Sequence, residues 1–219
     1  GSGVLLAGVP GTPPANVVIL GGGTVGINAA KMALGMGANV TILDVNLDRL
    51  RYLADVLDGR LTVLASDEYT VAQAVENADL VVGGLLIPGA RTPRVVTKLM
   101  ISRMTKGSVI VDVAIDQGGC VEGAVPTTHE HPVIDMDGVS VFCVSNMPAS
   151  VARTSTFALC NATFPYVSKL ANLGYRAAFR ADPALAKGLN MVEGRLTCKA
   201  VAESQGVECA IFDLSESQD

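Results

Sequence analysis

The sequence predicts an α/β protein with a doubly wound parallel sheet over residues 1–150 and a helical segment over residues 151–219. Three observations lead to this prediction. Short apolar runs alternate with helical patterns through the first 150 residues. A glycine-rich loop joins the first run to the first helical pattern. After residue 147 the helical patterns continue, and no strand of comparable strength follows.

Six short apolar runs predict the strands of this sheet. They are rich in β-branched residues, as expected of strands buried on both faces. The predicted strands are Asn16–Leu20, Asn39–Leu43, Leu61–Ala65, Asp79–Gly83, Ser108–Ile115 and Val139–Asn146. The segments between the first five carry apolar residues three to four positions apart, which predicts helices and therefore right-handed crossovers between parallel strands.

Composition excludes several classes of function. The chain has 219 residues, 49% of them apolar and 17% charged, with a net charge of −5, so we expect a compact soluble protein that does not bind nucleic acid. No apolar run approaches the roughly 20 residues of a membrane span. The five cysteines form no CxxC pair, which favours free thiols and a cytoplasmic location. His129 and His131 lack a clear third ligand, so we predict no metal site.

The glycine-rich loop predicts a dinucleotide site. Gly21, Gly23 and Gly26 follow a strand and open a helix, with Thr24 and Val25 between the last two. In a Rossmann-type sheet the first glycine permits a tight turn and the second lets the backbone approach a pyrophosphate. The third lets helix and strand pack closely. Phosphates would then bind at the helix N-terminus.

Asp44 ends the second strand, 23 residues after Gly21. A carboxylate there accepts hydrogen bonds from ribose hydroxyls and repels a 2′-phosphate, which predicts NAD rather than NADP. Two alternatives stay open. The glycines could form an ordinary tight turn with Asp44 capping the next helix, or the fold could bind adenosyl-methionine instead.

Asp116 follows the strand "GSVIVDVAI" and precedes Gly118 and Gly119. Ligands of open α/β sheets bind at the carboxyl ends of the strands, so Asp116 should lie near the nicotinamide end of a bound cofactor. It could act as a general acid/base or balance the charge of oxidised nicotinamide. We expect partial burial to raise its pKa. The alternative is a structural acid bonded to the amides of the Gly118-Gly119 turn.

Long motifs, in a fixed order, extend over nearly the whole chain. They include "NVVILGGGTVGINAAKMALGMG", "LIPGARTPRVVTKLMISRM", "GSVIVDVAIDQGGC", "PTTHEHPV", "FCVSNMPASVARTSTFALCNATFPYVSKLA" and "RADPALAKGL". Together they resemble the bacterial alanine dehydrogenase family. The resemblance implies an NAD-dependent interconversion of L-alanine with pyruvate and ammonia, through an imine, by a homo-oligomer that is typically a hexamer. The related proton-translocating transhydrogenase differs at "VAIDQGG" and is the alternative family.

The resemblance also implies roles for individual residues. It makes Asp116 the catalytic aspartate, places Asp44 and Arg49 beside the adenosine ribose, and places Ser66 near the adenine. The remaining cofactor-binding positions that it implies are Leu85, Leu86, Val113, Ala114, Ile115, Val144, Ser145, Asn146 and Met147. Val125 stands where the family often has an arginine, and Ser145 where alanine is common.

The family pattern begins with a substrate domain of more than about a hundred residues, which precedes the "GVPG" stretch and does not appear in this sequence. The resemblance implies that the helices after Thr154 pack on that domain, and that alanine turnover needs its residues. Two interpretations remain open. The chain is the NAD-binding part of a longer alanine dehydrogenase, or it is a stand-alone dinucleotide-binding module without catalysis.

Overall fold

The computed structural model describes residues 1–212, so the predictions for residues 213–219 lie outside the described residues. The chain divides into two compact units. The first comprises Gly1–Ile87 and Arg91–Asn146, and the second comprises Pro88–Ala90 and the chain from Met147 onward.

The first unit alternates strands and helices. In chain order its elements are β1 (Asn16–Leu20), α1 (Thr24–Gly35), β2 (Asn39–Asp44), α2 (Leu47–Val56), β3 (Leu61–Ala65), α3 (Glu68–Glu76), β4 (Leu80–Gly83), α4 (Lys98–Arg103), β5 (Val109–Asp112), β6 (Val133–Met136) and β7 (Val139–Phe142). A 3₁₀ turn, Ile115–Gln117, follows β5.

The sheet is doubly wound, as the sequence predicts. Its strand order is β3-β2-β1-β4-β5-β7-β6, and every neighbouring pair is parallel except β6 and β7. The order reverses at β1, which pairs with β2 on one side and with β4 on the other. This switch point opens a crevice at the carboxyl ends of the strands, where ligands of such sheets bind.

The central strand β1 supplies both cores of the unit. Val17 and Ile19 pack into one cluster of buried side chains, and Val18 and Leu20 pack into another. Because successive side chains of a strand point to opposite faces, the uninterrupted apolar run "VVIL" reports burial on both sides.

Two strand ends differ from the prediction. β5 ends at Asp112 rather than at Ile115, and β7 ends at Phe142 rather than at Asn146. The apolar run continues past β5 because Ala114 and Ile115 are buried within the turn rather than in the ladder. Hydrophobicity alone does not distinguish these two environments.

Strand β6 is not among the strands predicted from the sequence. This strand forms an antiparallel hairpin with β7 through Asp137 and Gly138, whose φ angles are 55° and 84°. Two successive positive φ angles are typical of the type I′ turn that joins two-residue hairpins. The dipeptide Asp-Gly is a strong signal for that turn, and it was available in the sequence.

The second unit is mainly helical, in agreement with the sequence. Its elements are a 3₁₀ helix (Met147–Val151), α5 (Ala152–Ala181), α6 (Pro183–Ala186), β8 (Met191–Val192), β9 (Arg195–Leu196) and α7 (Lys199–Gln205). Gly174, with φ 71° and ψ 160°, interrupts α5. Asp182 caps α6 by accepting from the N–H groups of Ala184 and Leu185. The short hairpin of β8 and β9 was not predicted. Within residues 1–212, no helix combines the length and hydropathy needed to cross a bilayer.

Candidate functional site

The glycine loop has the close packing that its sequence predicts. Gly21 has a φ of 94°, and its N–H donates to the Leu43 carbonyl over 2.8 Å. A Cβ on Gly26 would lie 1.9 Å from the Gly21 carbonyl oxygen. Only glycine therefore allows α1 to approach the end of β1 this closely.

The N-terminus of α1 faces open space. Gly23 is the N-cap, no side chain caps the helix, and the first helical hydrogen bond runs from Ile27 N–H to the Gly23 carbonyl. A Cβ on Gly23 would meet no atom within 4 Å, and Thr24 and Val25 are exposed. The first N–H groups of this twelve-residue helix thus offer donors and a favourable dipole to an anion.

Asp44 lies at the end of β2 beside this loop. Its Oδ2 accepts a hydrogen bond from Gly22 N–H at 2.7 Å, and its Oδ1 accepts one from Asn46 N–H at 2.8 Å. Asn46, not Asp44, caps α2 by accepting from the N–H groups of Asp48 and Arg49. The alternative in which Asp44 serves as a helix cap is therefore wrong.

Arg49 completes the contacts around Gly22. Its Nε donates to the Gly22 carbonyl over 2.6 Å, and its guanidinium lies 4.9 Å from the centre of the Tyr52 ring. A Cβ on Gly22 would lie 2.6 Å from a methyl group of Leu53, so a larger residue here would have to displace that side chain. Gly22 and Tyr52 were not predicted from the sequence. For Gly22 the reason is that the motif does not specify the residue between its first two glycines.

Ser66 lies on the same edge of the sheet, directly after β3. Its N–H donates to the Asp44 carbonyl over 3.0 Å, and its side chain is half-buried. Short contacts at the ends of β1, β2 and β3 therefore connect four of the predicted residues: Gly21, Asp44, Arg49 and Ser66.

A cleft brings together five of the other predicted positions. Its lining residues are Val25, Gly84, Leu85, Leu86, Val113, Ala114 and Gln117. They come from the start of α1 and from the segments that follow β4 and β5. Gly84 and Gln117 were not predicted, although both lie within two residues of predicted positions.

Five of the cofactor-binding positions that the resemblance implies lie outside this cleft lining: Ile115, Val144, Ser145, Asn146 and Met147. Ile115 and Val144 are 3% and 1% exposed, so their side chains belong to the core and only their backbone could contact a ligand. Ser145 is half-buried in the loop after β7, and Met147 begins the second unit. Val125 is exposed.

Asp116 lies in the 3₁₀ turn after β5, and its side chain is exposed, so the expected partial burial is wrong. Its Oδ2 accepts a hydrogen bond from Asn146 N–H over 3.1 Å. The N–H groups of Gly118 and Gly119 donate instead to the carbonyls of Ile115 and Ala114. The alternative in which those glycine amides hold the Asp116 carboxylate is therefore wrong as well.

The buried acid of this region is Asp112, the last residue of β5. It is 0% exposed, and its carboxylate accepts from the N–H groups of Ala114, Cys120 and Val121 and from the Cys120 thiol. Burial raises the pKa of Asp112, and these hydrogen bonds oppose the rise. Burial, together with the neighbouring Asp112 carboxylate, raises the pKa of the Cys120 thiol far above its usual range.

The family model described as alanine dehydrogenase/PNT, C-terminal domain, matches residues 1–199. The chain belongs to this family. An alanine dehydrogenase from Mycobacterium tuberculosis is 53% identical over 207 residues, which cover 94% of this chain and 56% of that protein. The chain thus spans little more than half the length of this relative.

Solved structures agree with this assignment. An L-alanine dehydrogenase structure is 50% identical, has a TM-score of 0.84, and is covered to 57% of its length by 94% of this chain. A transhydrogenase from Sinorhizobium meliloti is 29% identical with a TM-score of 0.59, over 67% of this chain and 41% of that one. The resemblance to alanine dehydrogenase is confirmed, and transhydrogenase is a more distant relative.

Proposed function

We propose that this chain is the NAD-binding part of an NAD-dependent alanine dehydrogenase, which interconverts L-alanine with pyruvate and ammonia. The observation that carries the proposal is the open N-terminus of α1, with Gly23 facing free space and Asp44 held beside the glycine loop. These residues offer the N–H donors that the phosphates of NAD need and the carboxylate that its adenosine ribose needs.

In this proposal the two halves of the cofactor bind to different parts of the sheet edge. The first amides of α1 bind the pyrophosphate, and the free lone pairs of Asp44 accept from the ribose hydroxyls. Arg49 and Ser66 lie beside the adenosine. The nicotinamide enters the cleft between Val25 and Ala114.

Bound NAD would supply the acceptor for a hydride from the substrate carbon. Asp116 would then lie at the nicotinamide end, where its carboxylate can exchange a proton with the substrate or balance positive charge. The Asn146 N–H, donating to Oδ2, leaves Oδ1 of Asp116 available for this work. The exposure of Asp116 in this chain allows a substrate domain to cover it.

We propose that the complete enzyme has two domains. Residues 1–150 form the NAD-binding domain, and residues 151–219 pack against a substrate domain that supplies the groups holding L-alanine. The enzyme is a homo-oligomer in the cytoplasm. The intact "VAIDQGG" stretch supports a catalytic protein over a stand-alone binding module, because a module without chemistry has no need of Asp116.

A titration of the chain with NADH and, separately, NADPH tests this function. We expect saturable NADH binding, followed by nicotinamide fluorescence, and binding of NADPH weaker by about tenfold or more because Asp44 repels a 2′-phosphate. Equal affinity for the two would contradict the role of Asp44. Failure of a folded chain to bind either would contradict NAD binding.

A further inference from the structure

Asp112 joins the two ends of the turn that carries Asp116. Its Oδ1 accepts from Ala114 N–H at 3.1 Å, and its Oδ2 accepts from Cys120 N–H at 2.9 Å and Val121 N–H at 3.2 Å. Asp116 lies between these attachment points. The pairing of β5 with β4 ends at Asp112, so the sheet does not hold the loop that follows. The Asp112 carboxylate fixes both ends of this loop.

The Asp112 carboxylate is buried and lies close to the backbone of Gly119 and to Cys120. A Cβ on Gly119 would lie 2.8 Å from Oδ2, and Gly119 has a φ of 74°. On the other side, a Cβ on Gly83 would lie 2.3 Å from the Cys120 sulfur, which itself contacts Oδ1 at 3.4 Å. Because Gly119 and Cys120 lie close to its two oxygens, the positions of the buried carboxylate and of the turn constrain each other.

The same turn forms one wall of the cleft. Val113, Ala114 and Gln117 line it, and Ala114 is one of the three residues whose N–H contacts Asp112. The glycine loop and the contacts of Asp44 and Arg49 involve no atom of Asp112. A change at Asp112 should therefore act on the nicotinamide half of the cleft and leave the adenosine half intact.

We propose that Asp112 is a positioning residue, which sets the cleft wall and the Asp116 carboxylate for the nicotinamide half of the cofactor. This inference rests on the proposed NAD-binding function. Asp112 touches neither cofactor nor substrate in this role. It acts through the backbone amides of Ala114, Cys120 and Val121.

The test compares two probes, NADH and ADP-ribose, which lacks the nicotinamide. Asp112→Asn keeps the shape of the side chain but turns an N–H donor toward backbone N–H donors. We expect it to bind ADP-ribose within about twofold of the wild type, to bind NADH at least about tenfold more weakly, and to lose the change in nicotinamide emission on binding. Calorimetry measures the first affinity and fluorescence the second.

Asp79→Asn is the matched control. Asp79 precedes β4 at the opposite edge of the sheet and also accepts from a backbone amide, Asn16 N–H at 2.8 Å. This variant should bind both probes as the wild type does. Gly119→Ala perturbs the Asp112 contact from the other side, should reproduce the selective loss, and decides the question if Asp112→Asn does not fold.

The outcomes separate the two proposals. Wild-type affinity and emission for NADH in folded Asp112→Asn would overturn the positioning role, and so would equal losses for NADH and ADP-ribose. A folded wild-type chain that binds neither probe would overturn the NAD-binding function itself, and the positioning role with it.

Discussion

The backbone N–H of Asn146 donates to Oδ2 of Asp116 over 3.1 Å, although the two residues are thirty positions apart. Asn146 has a φ of 53°, in the left-handed region. The loop after β7 thereby holds the turn after β5. The contact joins two motifs that the sequence shows only separately.

The left-handed conformation of Asn146 should restrict which residues this position tolerates. Asn146→Val should lower the free energy of unfolding by about 1–2 kcal/mol, because a β-branched residue is disfavoured at positive φ. Asn146→Gly should change it little, since glycine adopts this conformation freely. Urea unfolding of both variants measures the difference, and equal stabilities would show that the strain is absent.

Asp44 should matter for the loop as well as for the cofactor. Asp44→Ala leaves the N–H groups of Gly22 and Asn46 without their acceptor, so we expect a loss of about 1–2 kcal/mol in unfolding free energy. The affinity for NADH should fall, and the ratio of the affinity for NADH to that for NADPH should decrease. Titration and urea unfolding test the two effects, with Asp58→Ala, an exposed acid after α2, as the control. Unchanged stability would argue against the structural role.

Two glycines of one motif should respond oppositely to alanine. Gly26→Ala places a methyl group against the Gly21 carbonyl and should destabilise the fold by about 3 kcal/mol. Gly23→Ala meets no protein atom and has an ordinary φ of −68°, so the variant should fold normally. It should nevertheless lose NADH affinity, because the methyl group faces the space assigned to the pyrophosphate. Normal NADH binding by Gly23→Ala would place the phosphates elsewhere.

The buried thiols should make stability fall at alkaline pH. Burial raises the pKa of Cys143 to about 12 from the usual 9.0, and raises that of Cys120 further. Between pH 9.0 and about pH 12 the Cys143 thiol has lost its proton in the unfolded chain but keeps it in the folded chain. The free energy of unfolding therefore decreases as the pH rises above 9.0. Urea unfolding of the wild type and Cys143→Ala from pH 8 to about 10.5 tests this. A slope that is identical in both proteins would exclude a contribution from Cys143.

The sequence was sufficient for the sheet and for the adenosine side of the candidate site. Gly21, Gly26 and Asp44 are recognisable because tight turns and strand ends restrict which residues can occupy them. Asp112 was overlooked because it lies within an apolar run that hides the end of β5. Its environment depends on Cys120 and Val121, which return to it only through the Gly118-Gly119 turn. Such a tertiary contact leaves no periodic signal in the sequence.

The strand order has a further consequence for assembly during synthesis. β1 is central, so β2 and β3 extend the sheet on one side before β4 and its successors extend it on the other. The residues proposed to bind the adenosine end at Ser66. The turn proposed to contact the nicotinamide is complete only when Asn146 donates its N–H to Asp116. Because a chain emerges from the ribosome N-terminus first, the glycine loop and Asp44 are already outside the ribosome once β3 has emerged. The nicotinamide wall is made only by the second half of the same sheet.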